Sequence, residues 1–281
     1  MRQVSKGSWP ARCALGLALA GLLGALSASA ADDAATAALR QIVNGPHRSA
    51  AHKARDQYRH PVQTLTFFGI NPRMTVVELW PFGGWYTEIL APYLRDHGQL
   101  YAAAMDPQST SREDLQYNAD LKALFAAHPE LFDKVRVTVL AKGKMQIAPP
   151  GSADLVLTFR NIHNWVWDGV EKDVFAAAFR ALKPGGILGV VEHRSNDPHF
   201  VPRHSGEAYT GEQYAIDLIQ SVGFKFVASS DVNRNPKDTK DYPKGVWTLP
   251  PEYAEGDKDR AKYAAIGESD RFTLKFVKPK T

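Results

Sequence analysis

An open, mostly parallel α/β sheet with helices on both faces is the fold class that this sequence predicts. From residue 74 onward, short apolar runs typical of strands alternate with amphipathic stretches typical of helices. Such alternation produces parallel strands joined by right-handed crossovers. The segment after the first strand contains the glycine pair Gly83-Gly84, as expected where a chain turns tightly into a helix. A helical lead-in and a long insertion before the last strand complete the expected fold.

The first thirty residues have the layout of a secretory signal peptide. Three basic residues come early, residues 14–26 are all Ala, Leu or Gly, and Ala28-Ser29-Ala30 is a small-residue cleavage pattern. An apolar run this short cannot cross a bilayer core, which takes about 20 residues. We therefore predict a signal peptide at 1–30 and one mature domain at 31–281, periplasmic or secreted, without stable membrane insertion.

Cleavage at this site would change both the charge and the cysteine content. The whole chain has 34 Lys and Arg against 30 Asp and Glu, and the leader contains three basic and no acidic residues, so the net charge falls from +4 to +1. A chain this close to neutral disfavours nucleic-acid binding. The only cysteine, Cys13, also leaves, which excludes a disulfide framework, a thiol nucleophile and a cysteine-ligated metal.

The helical lead-in is predicted over residues 32–70. Pro61 suits the first position of a helix, Leu65 and Phe68 follow at helical spacing, and Gly69 stands where a glycine ends a helix.

The strands and helices of the sheet follow in order. We expect strands at 75–79, 99–105, 135–140, 154–159 and 187–192, with a turn at 183–186 before the fifth. Helices are expected at 86–95, from about Ser111, and at about 172–182. Thr210-Gly-Glu-Gln213 fits a capping box and predicts a further helix, which Gly223 ends. Two last strands are expected at 224–229 and 272–277.

A long segment between Asp231 and Phe272 interrupts this alternation. It holds four prolines and one short helix predicted near 258–265. A connection of this length is usually functional or disordered. Its aromatic residues, among them Tyr242 and Trp247, argue against disorder.

Two segments that follow strands carry the candidate site, because an open α/β sheet binds its ligand beyond the carboxyl ends of the strands, and a third segment precedes the fifth strand. They are residues 78–86, 159–165 and 181–186. They resemble the class I S-adenosylmethionine-dependent methyltransferases, and more closely a group of predicted exported bacterial methyltransferases. The matching residues are Val77-Glu-Leu-Trp-Pro-Phe-Gly-Gly-Trp-Tyr-Thr-Glu88, Asp154-Leu-Val-Leu-Thr-Phe-Arg-Asn-Ile-His-Asn-Trp165, Leu182-Lys-Pro-Gly-Gly186 and Arg55-Asp-Gln-Tyr-Arg-His-Pro61.

The likeness covers about residues 55–278, and it implies a Rossmann-like methyltransferase fold. It also implies S-adenosyl-L-methionine as cofactor and a small molecule as methyl acceptor. The residues that it places at the cofactor are Glu78, Gly83, Gly84, Asp106 and Asn161, with the Asp106 carboxylate accepting from the ribose hydroxyl groups.

Two positions depart from the glycine pattern of that family. Trp80 and Phe82 stand where the pattern has its first two glycines, and a ring at Phe82 would occupy space near the methionine end of the cofactor. Asp106 also has an alternative interpretation as a turn cap, since Asp-Pro often starts a turn.

His163 is the candidate general base, with Tyr86 and His193 as further catalytic candidates. A neutral imidazole after the fourth strand can take a proton from a hydroxyl or amine, because its ordinary pKa is about 6.5. A hydrogen-bonded structural role for His163 is the alternative. An aromatic face attracts a sulfonium cation by about 0.5 to 2 kcal/mol. The loop after the first strand has four aromatic rings, at Trp80, Phe82, Trp85 and Tyr86. We expect at least two of them to pack in the core, and Trp85 and Tyr86 are the candidates for contact with the sulfonium.

Several other kinds of site lack their motifs. The sequence contains no Gly-x-Ser-x-Gly, no phosphate-binding Walker loop and no His-Glu-x-x-His, so we predict no metal site. S-adenosylmethionine is made in the cytoplasm, and an exported enzyme would need a supply of it. A non-catalytic ligand-binding protein on a methyltransferase scaffold is therefore the second hypothesis, and a transferase or lyase that uses the cleft without the cofactor is the third.

Overall fold

The computed structural model describes residues 33–203 and 208–280, so the predicted signal peptide at 1–30 lies outside the described residues. The strands are β1 (Thr75–Leu79), β2 (Gln99–Ala104), β3 (Arg136–Val139), β4 (Ala153–Phe159), β5 (Leu182–His193), β6 (Lys225–Ser230) and β7 (Arg271–Val277). They form one sheet in the order β3-β2-β1-β4-β5-β7-β6. β7 runs antiparallel to both of its neighbours, and the other described pairings are parallel.

The helices connect these strands and cover both faces of the sheet. Helix α1 covers residues 33–43. It is followed by α2 (Ala50–Ala54), α3 (Asp56–Arg59), α4 (Pro61–Phe68), α5 (Thr87–Leu94), α6 (Arg112–Ala127), α7 (Pro129–Phe132), α8 (Ile162–Asp168), α9 (Glu171–Ala181), α10 (Glu212–Gln220) and α11 (Arg260–Ile266). No helix within these described ranges is long and apolar enough to cross a membrane.

The predicted fold class is confirmed. The sheet order also shows where the strand order reverses, which is at β1. β1 pairs with β2 on one side and with β4 on the other, so successive connections leave β1 toward opposite edges. The carboxyl ends of these strands therefore border a crevice, where ligands bind in open α/β sheets.

Apolar residues on alternating positions of β1 face two separate cores. Val77 and Leu79 pack in the cluster that holds Trp165 and Phe175 of α8 and α9. Val76 faces the opposite cluster, which contains residues of α1, α4 and α5. Because both faces of the strand are buried, the end of β1 is held firmly between two layers of helices.

Two local predictions need correction, and one helix was missed. The Lys183-Pro-Gly-Gly turn lies inside β5, as an irregularity between the pairs Ala153↔Leu182 and Leu155↔Ile187. Thr210 does not cap α10; Gly211 takes that position, and the Thr210 hydroxyl is buried without a partner among the described residues. Helix α8 was not predicted, since Asn161 precedes it without a side-chain capping bond. By contrast, α4 begins at Pro61 and ends before Gly69 (φ 83°), as expected.

The insertion at residues 231–270 is ordered along its length. It contains α11 and a 3₁₀ turn at Gly245–Thr248. Val246 packs against Ala208 and Tyr209, and Trp247 joins the same cluster. The Asp238 carboxylate accepts the Tyr209 hydroxyl at 3.0 Å and the backbone N–H of Asp270 at 2.7 Å. Apolar contacts and buried polar bonds thus fix the insertion beside the sheet.

Candidate active site

A cavity of about 720 Å³ opens at the carboxyl ends of the strands. This volume lies within the usual range of small-molecule sites. The walls come from the lead-in helices, the loop after β1, α6, the segment after β4 and the insertion. The lining residues are His52, Arg55, Arg59, Trp80, Pro81, Phe82, Gly83, Trp85, Met105, Glu113, Asp114, Tyr117, Phe159, Arg160, His163, Asn164, Trp167, Asp168, His193, Val246, Trp247, Pro250, Pro251, Glu252, Ser269 and Arg271.

The loop after β1 keeps the backbone of a glycine loop although it carries two aromatic side chains. Trp80, Phe82 and Gly84 have φ angles of 45°, 50° and 83°, in the left-handed region that favours glycine. The Trp80 Nε1–H donates to the carbonyl of Leu140 at 2.8 Å, and the Phe82 ring lies 4.7 Å from that of Tyr117. Strain at two positions is thus offset by ring contacts on the cavity wall.

The two glycines of this loop have different roles. A Cβ atom added at Gly84 would lie 2.5 Å from Cδ2 of Leu124, whereas one added at Gly83 would meet nothing within 4 Å. Gly84 therefore allows α6 to approach the loop, and Gly83 leaves open space at the cavity wall.

Glu78 lies in the core and outside the residues that line the cavity. Its carboxylate accepts the Thr87 hydroxyl at 2.7 Å. Burial raises the pKa of Glu78 to about 7, and the Thr87 hydrogen bond only partly opposes this. Glu78 thus connects β1 to the first turn of α5, and a direct role at the cofactor stays a prediction.

Asp106 follows β2 on the same edge as the loop, as the predicted strand order requires. Its carboxylate contacts the Lys144 ammonium at 2.7 Å and accepts the Gln108 backbone N–H at 3.0 Å. These contacts lower its pKa. The preceding Met105 lines the cavity, and Asp106 does not. These contacts agree with the interpretation of Asp106 as a turn cap. Its role as acceptor for the ribose hydroxyl groups of the cofactor remains a prediction.

Asn161 joins the ends of β1 and β4 at the point where the strand order reverses. Its amide nitrogen donates to the Leu79 carbonyl at 3.0 Å and lies 3.2 Å from the Thr158 hydroxyl. The side chain is fully buried, and its Oδ1 has no partner among the described residues. Asn161 therefore holds the two strand ends together, and a cofactor contact is still a prediction.

Tyr86 is packed beneath the cavity rather than at its rim. Its ring stacks on Phe159 with centroids 3.5 Å apart, and its hydroxyl donates to the Arg59 carbonyl at 3.4 Å. Burial raises the pKa of this hydroxyl. Trp80, Phe82 and Trp85 line the cavity instead. Trp85 and Tyr86 both pack in the buried core, as expected for at least two of these rings, but only Tyr86 is absent from the cavity lining.

His163, Glu192 and His193 form a buried group after β4 and at the end of β5. The His163 Nδ1 lies 3.1 Å from Glu192 Oε1, and the His193 Nδ1 lies 2.6 Å from the Ser269 hydroxyl. Because a carboxylate only accepts, His163 Nδ1 carries the proton and Nε2 is free to take another. Burial, followed by the charges of His163 and Arg271, lowers the pKa of His193 well below its ordinary value. His193 is therefore a neutral imidazole.

The spacing of these three side chains also suits a metal ion, since ligand atoms from all three lie within 4.8 Å of one another. However, the Glu192 oxygens already accept the backbone N–H groups of Ile162 at 2.6 Å and His193 at 2.7 Å. Nearby guanidinium groups add unfavourable positive potential for a cation. Glu192 is therefore better suited to orient the His163 imidazole than to bind a metal ion.

Arginines surround a single carboxylate on the same side of the cavity. Glu268 contacts Arg55 and Arg271, and its Oε2 lies 3.2 Å from Nε of Arg59. Burial alone would raise the pKa of Glu268, but these three guanidinium groups lower it well below its usual value. Arg160 adds a fourth guanidinium to the lining of this side. This side of the cavity therefore carries excess positive charge.

A second group of residues in the cavity lining is acidic. Glu113 and Asp114 lie in the first turn of α6, Asp168 ends α8, and Glu252 belongs to the insertion. Glu113 accepts the Tyr117 hydroxyl at 2.8 Å, and Asp114 accepts that of Ser109 at 2.6 Å. Burial, and then the charge of Asp114, raises the pKa of Asp168. The cavity is thus polarised, because its lining contains both a basic and an acidic group of side chains.

Sequence reasoning missed this polarisation. Arg59 and Glu268 are separated by 209 positions, and no local motif joins them. Glu192 was noted only as the end of a strand. Its position before His193, at the end of a buried strand, was the one available signal.

Comparisons with known proteins agree on the fold. No family model matches the sequence, and no curated protein does so either. The structure is similar to a SAM-dependent methyltransferase from Aquifex aeolicus, with a TM-score of 0.53, 16% identity and coverage of 80% of this chain and 93% of that one. It is also similar to the [4+2]-cyclase SpnF, with a TM-score of 0.54, 15% identity and coverage of 84% and 86%. The mitomycin 7-O-methyltransferase MmcR aligns with a TM-score of 0.50, 14% identity and coverage of 80% and 54%. The chain therefore has the Rossmann-like fold of class I methyltransferases.

Proposed function

We propose that this protein is an S-adenosylmethionine-dependent methyltransferase that acts on a small-molecule acceptor. The observation that carries the proposal is the loop at 80–84, in which Trp80, Phe82 and Gly84 have left-handed φ angles beside a cavity where the strand order reverses. A backbone of this shape lets main-chain groups approach a ligand closely. The fold shared with a methyltransferase from Aquifex aeolicus supports the same reading.

The residues of the cavity suit this cofactor. Gly83 leaves open space in the wall, and the Glu113 and Asp114 carboxylates provide acceptors on the acidic side. The aromatic face of Trp80 favours a cationic sulfonium, whereas the Trp85 ring already contacts the guanidinium groups of Arg48 and Arg59. When bound, S-adenosylmethionine supplies a methyl group that is activated by the positive charge on sulfur. Glu78, Gly84, Asp106 and Asn161 support the loop and the strand ends from outside the cavity lining.

The protein itself would position the acceptor and accept its proton. His163 lines the cavity and is oriented by Glu192, so its Nε2 is the nitrogen that takes the proton. His193, held neutral and bonded to Ser269, completes the same wall. The rings of Trp80 and Trp247 line the cavity and reduce access of water to the reacting groups.

We also propose that the protein is exported. The basic start, the apolar run and the small-residue cleavage pattern of residues 1–30 support this. The mature protein would then be a single domain at 31–281 that works in the periplasm or outside the cell.

Calorimetric titration with S-adenosylhomocysteine tests the activity. We expect saturable 1:1 binding by the full chain. Incubation with S-adenosylmethionine and candidate acceptors should then release S-adenosylhomocysteine. A folded protein that binds neither compound would contradict the proposal.

A non-catalytic ligand-binding protein is the second candidate function. Trp80 and Phe82 favour it, because their rings occupy part of the wall that glycine leaves open in the family pattern. Asp106 favours it as well, since its carboxylate is paired with Lys144. Similarity to a [4+2]-cyclase illustrates that the fold alone does not determine the reaction.

A further inference from the structure

Arg160 presents to the cavity a guanidinium group that has no hydrogen-bond or ion-pair partner in the part of the chain that the structure describes. It follows β4 directly and has a φ of 64°, which is costly for a residue other than glycine. Its backbone N–H donates to the Val191 carbonyl at 2.7 Å. Within residues 33–203 and 208–280, its side chain makes no hydrogen bond or ion pair. The strained backbone of Arg160 thus places its unpaired guanidinium charge at the wall of the cavity.

The charges around Arg160 do not neutralise it. Arg59, Arg271 and Arg55 lie on the same side, and Glu268 is the one carboxylate that they share. Burial, followed by the charge of Arg271, lowers the pKa of Arg160 to about 10. The group is therefore still charged at neutral pH. Four guanidinium groups against one carboxylate leave a local excess of positive charge that an anion would relieve.

Arg160 and Arg271 belong to the half of the cavity formed by β4, β5 and β7. His193 pairs with Arg271 across β5 and β7, and Arg160 bonds to the neighbouring Val191 of β5. The glycine-rich loop follows β1, on the other side of β4 from β5. His163, the proposed base, comes three residues after Arg160. Arg160 and Arg271 thus lie on the side of the base, whereas the Arg59 guanidinium lies 4.6 Å from the centroid of the Trp85 ring in the loop after β1.

We propose that Arg160 binds an anionic group of the methyl acceptor, a carboxylate or a phosphate, with Arg55, Arg59 and Arg271 supplying additional positive potential. This inference rests on the proposed methyltransferase function. The planar guanidinium matches either anion in a bidentate contact. An acceptor held there would have a nucleophilic hydroxyl or amine near His163.

The carboxylate of the cofactor's methionine part has the same chemistry, so the test must separate the two sources. Three variants of the full chain serve. Arg160→Asn removes the charge and suits a left-handed φ, because asparagine tolerates that conformation. Arg160→Lys keeps the charge. Arg73→Asn is the control, since Arg73 is exposed and precedes β1 at the opposite end of the strand.

Malonate and inorganic phosphate are the anion probes, titrated calorimetrically at constant ionic strength with chloride. S-adenosylhomocysteine and 5′-methylthioadenosine, which lacks the amino-acid part, are the cofactor probes. We expect Arg160→Asn to weaken binding of at least one anion about tenfold, and Arg160→Lys to restore it to within about threefold. Binding of S-adenosylhomocysteine should change less than about threefold in every variant.

Two results would overturn the inference. One is equal anion binding by Arg160→Asn and the native protein. The other is a tenfold loss of S-adenosylhomocysteine affinity with unchanged 5′-methylthioadenosine affinity, which would assign Arg160 to the cofactor. If the native protein bound anions through Arg160 but neither cofactor probe, the anion site would stand and the methyltransferase proposal would fail.

Discussion

His163 and Glu192 form a buried pair in which the imidazole Nδ1 lies 3.1 Å from the carboxylate Oε1. The same carboxylate also accepts two backbone N–H groups, from Ile162 at 2.6 Å and from His193 at 2.7 Å. Glu192 therefore fixes the ring of His163 and the start of α8 together. Orientation of the proposed base and local stability depend on one side chain.

Replacing Glu192 by glutamine should lower the free energy of unfolding by about 2 to 4 kcal/mol. A glutamine has one acceptor oxygen, so at least one of these three buried donors loses its partner. Urea unfolding measures the change. Glu130→Gln, at an exposed position, is the control, with an expected effect below about 0.5 kcal/mol. Equal stability of the two variants would contradict the account of Glu192.

Stability should fall as the pH rises from about 4.5 to about 7, because of Glu78. Its pKa is 4.5 when exposed and about 7 in the fold. Between these values the unfolded chain loses a proton that the folded chain keeps, so unfolding becomes easier, by about 3 kcal/mol in total. Below pH 4.5 the contribution is fully favourable.

Glu78→Gln should remove this pH dependence, since the amide does not ionise in this range. Unfolding of both proteins is followed from pH 4 to 8, and the difference between them isolates Glu78 from other titrating groups. A difference that stays constant across this range would show that burial does not raise the pKa of Glu78.

Phe82→Gly and Phe82→Ala should differ in stability by about 1 kcal/mol, with glycine the more stable. Both remove the ring that contacts Tyr117, but only glycine relieves the positive φ of this position. Thermal melts compare the two. Because Phe82 lines the cavity, Phe82→Gly should also raise the affinity for S-adenosylhomocysteine in calorimetry. Lower affinity would mean that the ring supports the ligand.

Alanine substitutions at Gly83 and Gly84 should have opposite effects. Gly84→Ala places a Cβ 2.5 Å from Leu124 at a φ of 83°, so it should cost about 2 kcal/mol or more of stability. Gly83→Ala meets no atom within 4 Å and should fold normally, while its methyl group narrows the cavity and weakens ligand binding. Urea unfolding and calorimetry separate these outcomes. Equal destabilisation would contradict the different roles of the two glycines.

The export proposal predicts that the mature chain begins at Ala31. Mass spectrometry of protein recovered outside the cytoplasm should show the loss of residues 1–30. The double variant Ala28→Arg and Ala30→Arg should remain uncleaved, because the small-residue cleavage pattern is lost. If the unsubstituted protein recovered outside the cytoplasm still began at Met1, the proposal would be contradicted.

The strands were predictable because each is a short apolar run bounded by turn residues. The bounds were right to within a few positions, except at β5. There the chain starts pairing at Leu182, before the Lys183-Pro-Gly-Gly segment. A local turn signal does not reveal that the residues ahead of it also find a partner in β4. The prediction that Thr210 caps a helix was wrong for a similar reason. Its backbone forms a β-bridge with Arg194.

The site was predictable only in part. Position after a strand brought His163, Phe82 and Gly83 to one cavity, as expected from the fold. Position did not reveal side-chain direction, so Tyr86 was expected at the rim although it stacks on Phe159 in the interior. The partners of Glu268 come from the lead-in and from β7, and only the folded chain brings them together.

The insertion has a consequence for how the site can change. Its two ends enter β6 and β7, which are hydrogen-bonded neighbours with Ser230 opposite Thr273. A loop whose ends are already adjacent can be lengthened, shortened or exchanged without altering the strands that carry it. This loop also contributes Trp247 and Glu252 to the cavity lining. A change in this part of the loop would therefore change the cavity without changing the sheet. Exchanging the part of this loop around Trp247 and Glu252 would change ligand choice, whereas Glu268 and Ser269 must be kept because they contact the arginine cluster and His193.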